Sequence, residues 1–273
     1  MREYCRVERD GALTLVTLAR PERRNALHVH ANEALQEVWD DFAADPDQHV
    51  AILTGGPDFF CAGNDLKWQA EGGKVFTAGN DLKATNEGGS KKGLPDSGFA
   101  GLSSRFDLEK PLVAAVNGFA MGGGFETVLN CDIVIADETA RFALPEVRHG
   151  MAALAGGVHR LTRTLGRQRA MGICLTGRMV SAAEGRELGF VNEVAPAHEA
   201  LRVARDWAAT LLANGPLALQ ATKHVALQGL STADIGVACR TEYWPVQRMK
   251  ASADYVEGPR AFAEKRKPEW TGR

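Results

Sequence analysis

No CxxC pair occurs in the 273 residues, and the five cysteines (Cys5, Cys61, Cys131, Cys174, Cys239) are scattered and odd in number. That argues against a disulfide-framed secreted domain and for free thiols in a reduced compartment. No apolar run reaches the roughly 18 residues that a membrane helix needs. The charged opening MREYCRVERDG is no signal peptide, so a cytoplasmic location is expected, with no membrane partner. Net charge is only −2, which leaves no basic excess for nucleic acid or an anionic lipid surface. A Walker loop and a GxGxxG fingerprint are both missing. His28 and His30 form an HxH with no further ligands nearby, so neither a metal nor a redox cofactor is expected.

What remains is an ordinary globular composition, 45% apolar and 24% charged, long enough for one large domain or one domain with an appendage. The chain is organised around KPLVAAVNGFAMGGGFETVLNCDIVIADETARFALPE, Lys110 to Glu146. Leu112 to Val116 is brief, apolar and ends at Asn117-Gly118, as a buried strand does. Gly122, Gly123 and Gly124 follow, then a helix expected over 125–130 and a second apolar run over 133–136. Glycines let a substrate approach the backbone closely. The first N–H groups of a helix lack internal partners and sit at the positive end of its dipole. Two such donors converging would form an oxyanion hole for an enolate. Glu126 lies within a turn of the glycines, and Glu146 offers a second carboxylate with which to divide acid and base work. By spacing alone, the glycines also fit a tight turn, Glu126 a dipole partner and Glu146 a surface residue.

The stretch resembles the signature of the crotonase (enoyl-CoA hydratase/isomerase) family, KPxxAAxxGxxxGGGxExxxxCDxxxAxxxAxFxxPE, with every fixed position met. The resemblance implies that Glu126 and Glu146 are the catalytic glutamates and that Gly123 gives one oxyanion donor. It also implies an α/β fold, a crotonase-like ββα spiral core over 1–196 with a C-terminal helical, oligomerising domain over 197–273. A homotrimer or a dimer of trimers would follow, acting on an acyl-CoA thioester with coenzyme A carried as part of the substrate.

The second oxyanion donor follows from a motif that occurs twice. Phe60-Cys-Ala-Gly-Asn-Asp-Leu-Lys67 is nearly repeated as Phe76-Thr-Ala-Gly-Asn-Asp-Leu-Lys83, a local tandem duplication. Both copies resemble the family's FxAGxDL element, whose residue after the glycine donates. The first is favoured because it follows the strand Val50 to Thr54 closely, and a donor must be fixed by a rigid neighbour. On that choice Asn64 pairs with Gly123, and Ala62, Asp65 and Leu66 line the CoA channel. RPERRNAL (20–27) resembles the family's RPxxxNAL stretch, making Arg23 and Arg24 candidates for the CoA phosphates. Phe262 and Lys265, in GPRAFAEKRKPEW, match a segment that in the family reaches CoA bound mostly by a neighbouring protomer.

Elsewhere strands are expected at 4–8 and 12–18 around the Asp10-Gly11 turn, and a helix at 31–43 with Leu35, Val38, Trp39 and Phe42 on one face. Residues 84–103 read as a long Gly/Ser/Lys loop over the acyl pocket, with Trp68 and Phe99 as candidate acyl contacts. After Glu146, Ala153 replaces a family proline, and Val158-His159 replaces Thr-Gln, so the substrate is open. Helices are expected over 157–166 and 167–176. Ser181 to Glu184 is a capping box, 190–194 a last strand, and Ser231 the cap of a long helix kinked at Pro245. Three readings stand: an enoyl-CoA hydratase or dehydratase; another acyl-CoA reaction on this scaffold (isomerase, hydrolase, retro-aldol lyase, carnitinyl-CoA dehydratase); and a non-catalytic CoA-ester-binding protein.

Overall fold

The computed structural model describes residues 4–70 and 94–273. The second motif copy, 76–83, and residues 84–93 of the expected loop lie outside the described residues. Strands β1 (Cys5–Asp10) and β2 (Leu13–Leu18) form the expected hairpin, Asp10 pairing with Leu13. Gly11, at φ +56, takes the positive φ that a two-residue hairpin loop asks of its first position. Helix α1 (Val29–Ala44) then leads to β3 (Val50–Thr54), and a short helix α2 (Leu66–Ala70) follows the first motif copy. Further along come β4 (Leu112–Val116), β5 (Phe119–Met121), α3 (Gly123–Val128), β6 (Ile133–Asp137) and β7 (Arg141–Ala143). Next are α4 (Gly157–Leu165), α5 (Arg167–Cys174), β8 (Val180–Ser181), α6 (Ala182–Leu188), β9 (Glu193–Ala195) and α7 (Ala200–Leu212). Four helices close the chain: α8 (Pro216–Gly229), α9 (Ile235–Arg240), α10 (Trp244–Lys250) and α11 (Asp254–Ala263).

The main sheet runs β1-β2-β3-β4-β6-β9, parallel from β2 onward. Its middle strands read as unbroken apolar runs because both faces are covered. Alternate residues of β4 divide between two cores: Leu112, Ala114 and Val116 face one, and Val113 and Ala115 the other. The first core takes Leu35, Val38, Trp39 and Phe42 of α1, the expected helical face. The second is closed by α7, whose Ala200, Ala204 and Ala208 let the helix lie close on the sheet.

A small second sheet, β5-β7-β8, lies beyond the Asn117-Gly118 turn. Nothing in the sequence reading anticipated it, since strands of two or three residues carry no period to detect. Position 118 requires glycine twice over, since its φ is +64 and an added Cβ would lie 2.1 Å from the Asp58 carbonyl oxygen. β5 also bridges backward, Ala120 to Cys61, and so carries the first AGND motif to the glycine turn.

Several elements moved from their expected bounds. The glycine helix starts at Gly123, two residues before the expected Phe125, so the glycines open it. The last strand is Glu193–Ala195 rather than 190–194. The long kinked helix does not form: Asp234, not Ser231, accepts the Gly236 and Val237 N–H groups, and α9 ends at Arg240. Pro245 then sits in the first turn of α10, where its missing N–H costs nothing. Ser181 caps its helix as expected, its hydroxyl accepting from Glu184 N–H at 3.2 Å, while the Glu184 carboxylate pairs with Arg178.

Candidate active site

Three loops meet at the glycine turn. The first is 20–27, held by Asn25, whose buried side-chain amide donates to the carbonyls of Gly55, Phe59 and Phe60. Its Oδ1 accepts the Arg20 N–H. The second is 60–66: Ala62 N–H donates to Arg24 O, Leu27 N–H to Gly63 O, and Asp65 N–H to Leu27 O. These bonds place Asn64 in a bridge with Leu27. The third is the glycine turn, tied to the second by Met121 N–H to Cys61 O and to β7 by Gly122 N–H to Ala143 O.

The approach of the backbones is close enough to require glycine. A Cβ on Gly63 (φ +90) would lie 2.6 Å from Met121 O and 3.0 Å from Gly123 N. The main chain at Gly63-Asn64 therefore stands against the Gly123 amide, which opens α3 and has no intrahelical acceptor. On the other side of Gly123 lies the buried ring of Phe99, within 2.6 Å of where its Cβ would be. Phe99 is fixed from α1, since Ala100 N–H donates to Asn32 Oδ1 at 2.6 Å and Trp39 Nε1–H to Ala100 O at 2.9 Å. Of the three glycines of the turn, Gly124 has the least room, its Cβ position lying 2.2 Å from Cys61 O. Gly124→Ala is expected to push the 60–66 loop off the turn and to lower stability by about 1–3 kcal/mol. Thermal unfolding read alongside turnover checks this; an unchanged melting temperature contradicts it.

Both glutamates come to this turn. Glu126, on the first turn of α3, is 4% exposed, and its Oε1 accepts the Gly157 N–H at 2.8 Å. Burial is the main cause that raises its pKa to about 7; the Gly157 amide works against it, and the Glu146 charge adds to it. Glu146, in the 3-10 turn Pro145–His149, lies over Gly122, with Oε1 2.8 Å from where a Cβ would stand. Its Oε2 is buried without a hydrogen-bond partner among the described residues. Burial also raises its pKa, while its own backbone amide and His149 pull it down. The Cys174 thiol, held up mainly by burial, feels both carboxylates. Both carboxyls thus hold a proton more tightly than a free glutamate, and the Glu146 charge adds to the effect on Glu126.

Of the expected CoA contacts, Arg24 and Ala62 are joined by their backbone bond, and the Arg24 guanidinium lies over the Phe59 ring, 5.5 Å from its centroid. Arg23 and Leu66 are exposed. Asp65 differs from expectation: it is 4% exposed, and its carboxylate is occupied by Arg20 Nη2 at 3.2 Å and the Trp68 N–H at 3.1 Å. That carboxylate holds the loop. Trp68 packs on His28, with ring centroids 5.5 Å apart. Phe262 and Lys265 are exposed and are not brought to this cluster; α11 packs on α10. Sequence reasoning missed Arg20, Asn25 and Gly157. The Gly156-Gly157 pair was a usable signal for a second close backbone approach, but Asp65, which Arg20 pairs with, and the carbonyls that the Asn25 amide bonds lie 30 or more residues away.

The family profile described as enoyl-CoA hydratase/isomerase matches residues 8–74 and 68–273, and each stretch contains one copy of the repeated motif. A mevalonyl-coenzyme A hydratase of Aspergillus fumigatus is 41% identical, over 94% of this chain and 91% of that protein. A carnitinyl-CoA dehydratase of Salmonella arizonae is 39% identical over the whole of both chains. Among solved structures, an enoyl-CoA hydratase from Mycobacterium tuberculosis superposes with a TM-score of 0.87 at 33% identity, covering all of both chains. A probable enoyl-CoA hydratase/isomerase from Mycobacterium abscessus gives 0.86 at 36% identity, with the same coverage.

Proposed function

This chain belongs to the enoyl-CoA hydratase/isomerase (crotonase) family, and on that premise we propose that it adds water across the 2,3 double bond of an enoyl-CoA thioester, or runs the reverse dehydration. The observation that carries this reading is the pair of carboxyls with raised pKa values, Glu126 buried on the helix that the glycines open and Glu146 lying over Gly122. The thioester oxygen would accept from the amides of Asn64 and Gly123, which stabilises the enolate as water adds at C3. A donor of this kind is typically worth about 3 kcal/mol of barrier. One carboxylate takes a proton from water, and the other gives a proton to C2. The pair therefore starts with one proton and ends with one, and no external proton carrier enters the cycle.

Arg24, with Arg23, would meet the CoA phosphates at the mouth of the site, with Ala62 and Leu66 along the pantetheine. Phe262, 87% exposed, and Lys265 would complete the CoA site of a neighbouring copy in a trimer or a dimer of trimers. The exposed Leu227, Leu230, Ile235 and Trp244 of the terminal helices support such self-association. Light scattering on the purified protein reads the mass directly.

Loss of enoyl absorbance with crotonyl-CoA, and with enoyl-CoAs related to the mevalonyl and carnitinyl groups, tests the reaction. The expected kcat/KM profile is bell-shaped. Its upper limb falls near pH 7, because the shared proton is lost as pH rises through the raised pKa of Glu126. Tight binding of CoA esters without turnover of any enoyl-CoA would instead support a binding role. Rearrangement or cleavage without water addition would support a different reaction on the same scaffold.

A further inference from the structure

Arg160 belongs to no motif that assigns it a role, yet it joins two walls of the site. It lies on the first turn of α4, partly buried. Its Nη2 donates to Ser103 O at 2.9 Å, and its guanidinium lies 5.8 Å from the Phe106 ring centroid. It also folds back over Gly156, which sits at φ +99; a Cβ there would lie 1.8 Å from Nη1. The chain is thus clamped between two points. One is the Gly156-Gly157 turn, whose amide grips Glu126. The other is the stretch following Phe99, which covers Gly123.

We infer that Arg160 is a positioning residue for the reacting pair: its guanidinium fixes the turn that holds Glu126 and presents a positive charge to that carboxyl. The inference rests on the hydratase reading of Glu126 and Glu146. The charge runs both ways, since Arg160 draws the Glu126 pKa down and Glu126 draws that of Arg160 up, against its burial. The groups that bear on Glu126 are Glu146 from the 3-10 turn, the amides of Ala155 and Gly157, and Arg160 itself, while the Cys174 thiol of α5 in turn feels Glu126. Arg163 and His149 act one step away, on Arg160 and Glu146. Among these, Arg160 is the cation acting on Glu126. Removing it loosens the amide grip and takes away the charge, and both changes raise the pKa of Glu126.

The two consequences separate by substitution. Arg160→Lys keeps the charge but not the planar fork; Arg160→Gln keeps a donor for Ser103 O but not the charge. Carboxyl carbon NMR of glutamate-labelled protein reads the Glu126 titration directly, with its signal identified by its loss in Glu126→Gln. The expected result is a titration shifted to higher pH in Arg160→Gln and Arg160→Ala, and returned toward wild type in Arg160→Lys. In all three variants kcat falls, by roughly 10²-fold in Arg160→Ala, with little change in KM. An unshifted Glu126 titration in both uncharged variants overturns the inference, even if activity falls, because Arg160 is then only a structural pin. Unchanged kcat in Arg160→Ala overturns it equally. The NMR titration does not depend on turnover, so a wild-type protein that hydrates no enoyl-CoA defeats the hydratase reading while the role of Arg160 is still decided.

Discussion

Glu126→Gln is expected to lower kcat for hydration by roughly 10²–10⁴-fold and, at the same time, to make the protein more stable at pH 8. The shapes are equal, and the amide oxygen of glutamine still accepts the Gly157 N–H, so packing is kept. The charge is what changes. An unfolded glutamate titrates at 4.5, whereas burial holds the folded one near 7. Between those values the folded state keeps a proton that the unfolded state has released. Wild-type stability contributed by this group is therefore complete below about pH 4.5 and lost as pH rises through about 7. At 1.36 kcal/mol per pH unit the loss is of the order of 3 kcal/mol for so buried a side chain. Glutamine never ionises and escapes it. Urea unfolding at pH 4.5 and pH 8 checks the sign. The variant should match wild type at the lower pH and exceed it at the higher. Equal stabilities at both, or full activity in the variant, would remove Glu126 from the chemistry.

Asp65→Ala is expected to cost roughly 3–5 kcal/mol, because it leaves the Arg20 guanidinium buried without its counter-charge. The two side chains are 12% and 5% exposed, so water does little to replace the lost partner. The same carboxylate accepts the Trp68 N–H, and the adjacent Asn64 is the candidate oxyanion donor, so hydration should collapse with stability. A double-mutant cycle with Arg20→Met separates the pair from its surroundings: the double variant should be more stable than the sum of the single losses predicts. The repeated motif supplies a matched control, Asp81→Ala, in an identical local sequence. If the first copy carries the donor, hydration depends on Asp65 far more than on Asp81. Full activity in Asp65→Ala with loss in Asp81→Ala would transfer the site to the second copy.

How much of this could be read in advance depended on the range of the interaction. β3 and β4 fall where their apolar runs and turn residues placed them, because the signal is contained in five or six neighbouring residues. The α1 face and the Ser181 cap were legible for the same reason. The two glutamates stood out because the motif around them is long. The role of the Asp65 carboxylate in holding its loop was hidden because its partner Arg20 lies 45 residues earlier, where no local spacing points to it. The β5-β7-β8 sheet was hidden by its short strands, and the grip of Gly157 on Glu126 by a separation of 31 residues. Pro245 was read as a kink because its neighbours look helical on both sides; whether a proline interrupts or starts a helix is set by where the chain turns, at 241–243.

The most direct test is a crystal structure of the protein with a non-reacting enoyl-CoA analogue. The account predicts the thioester oxygen about 3 Å from the amides of both Asn64 and Gly123, with the carboxyl groups of Glu126 and Glu146 facing C2 and C3. A thioester oxygen bound away from the Gly123 amide, or carboxyl groups turned from those two carbons, would contradict it.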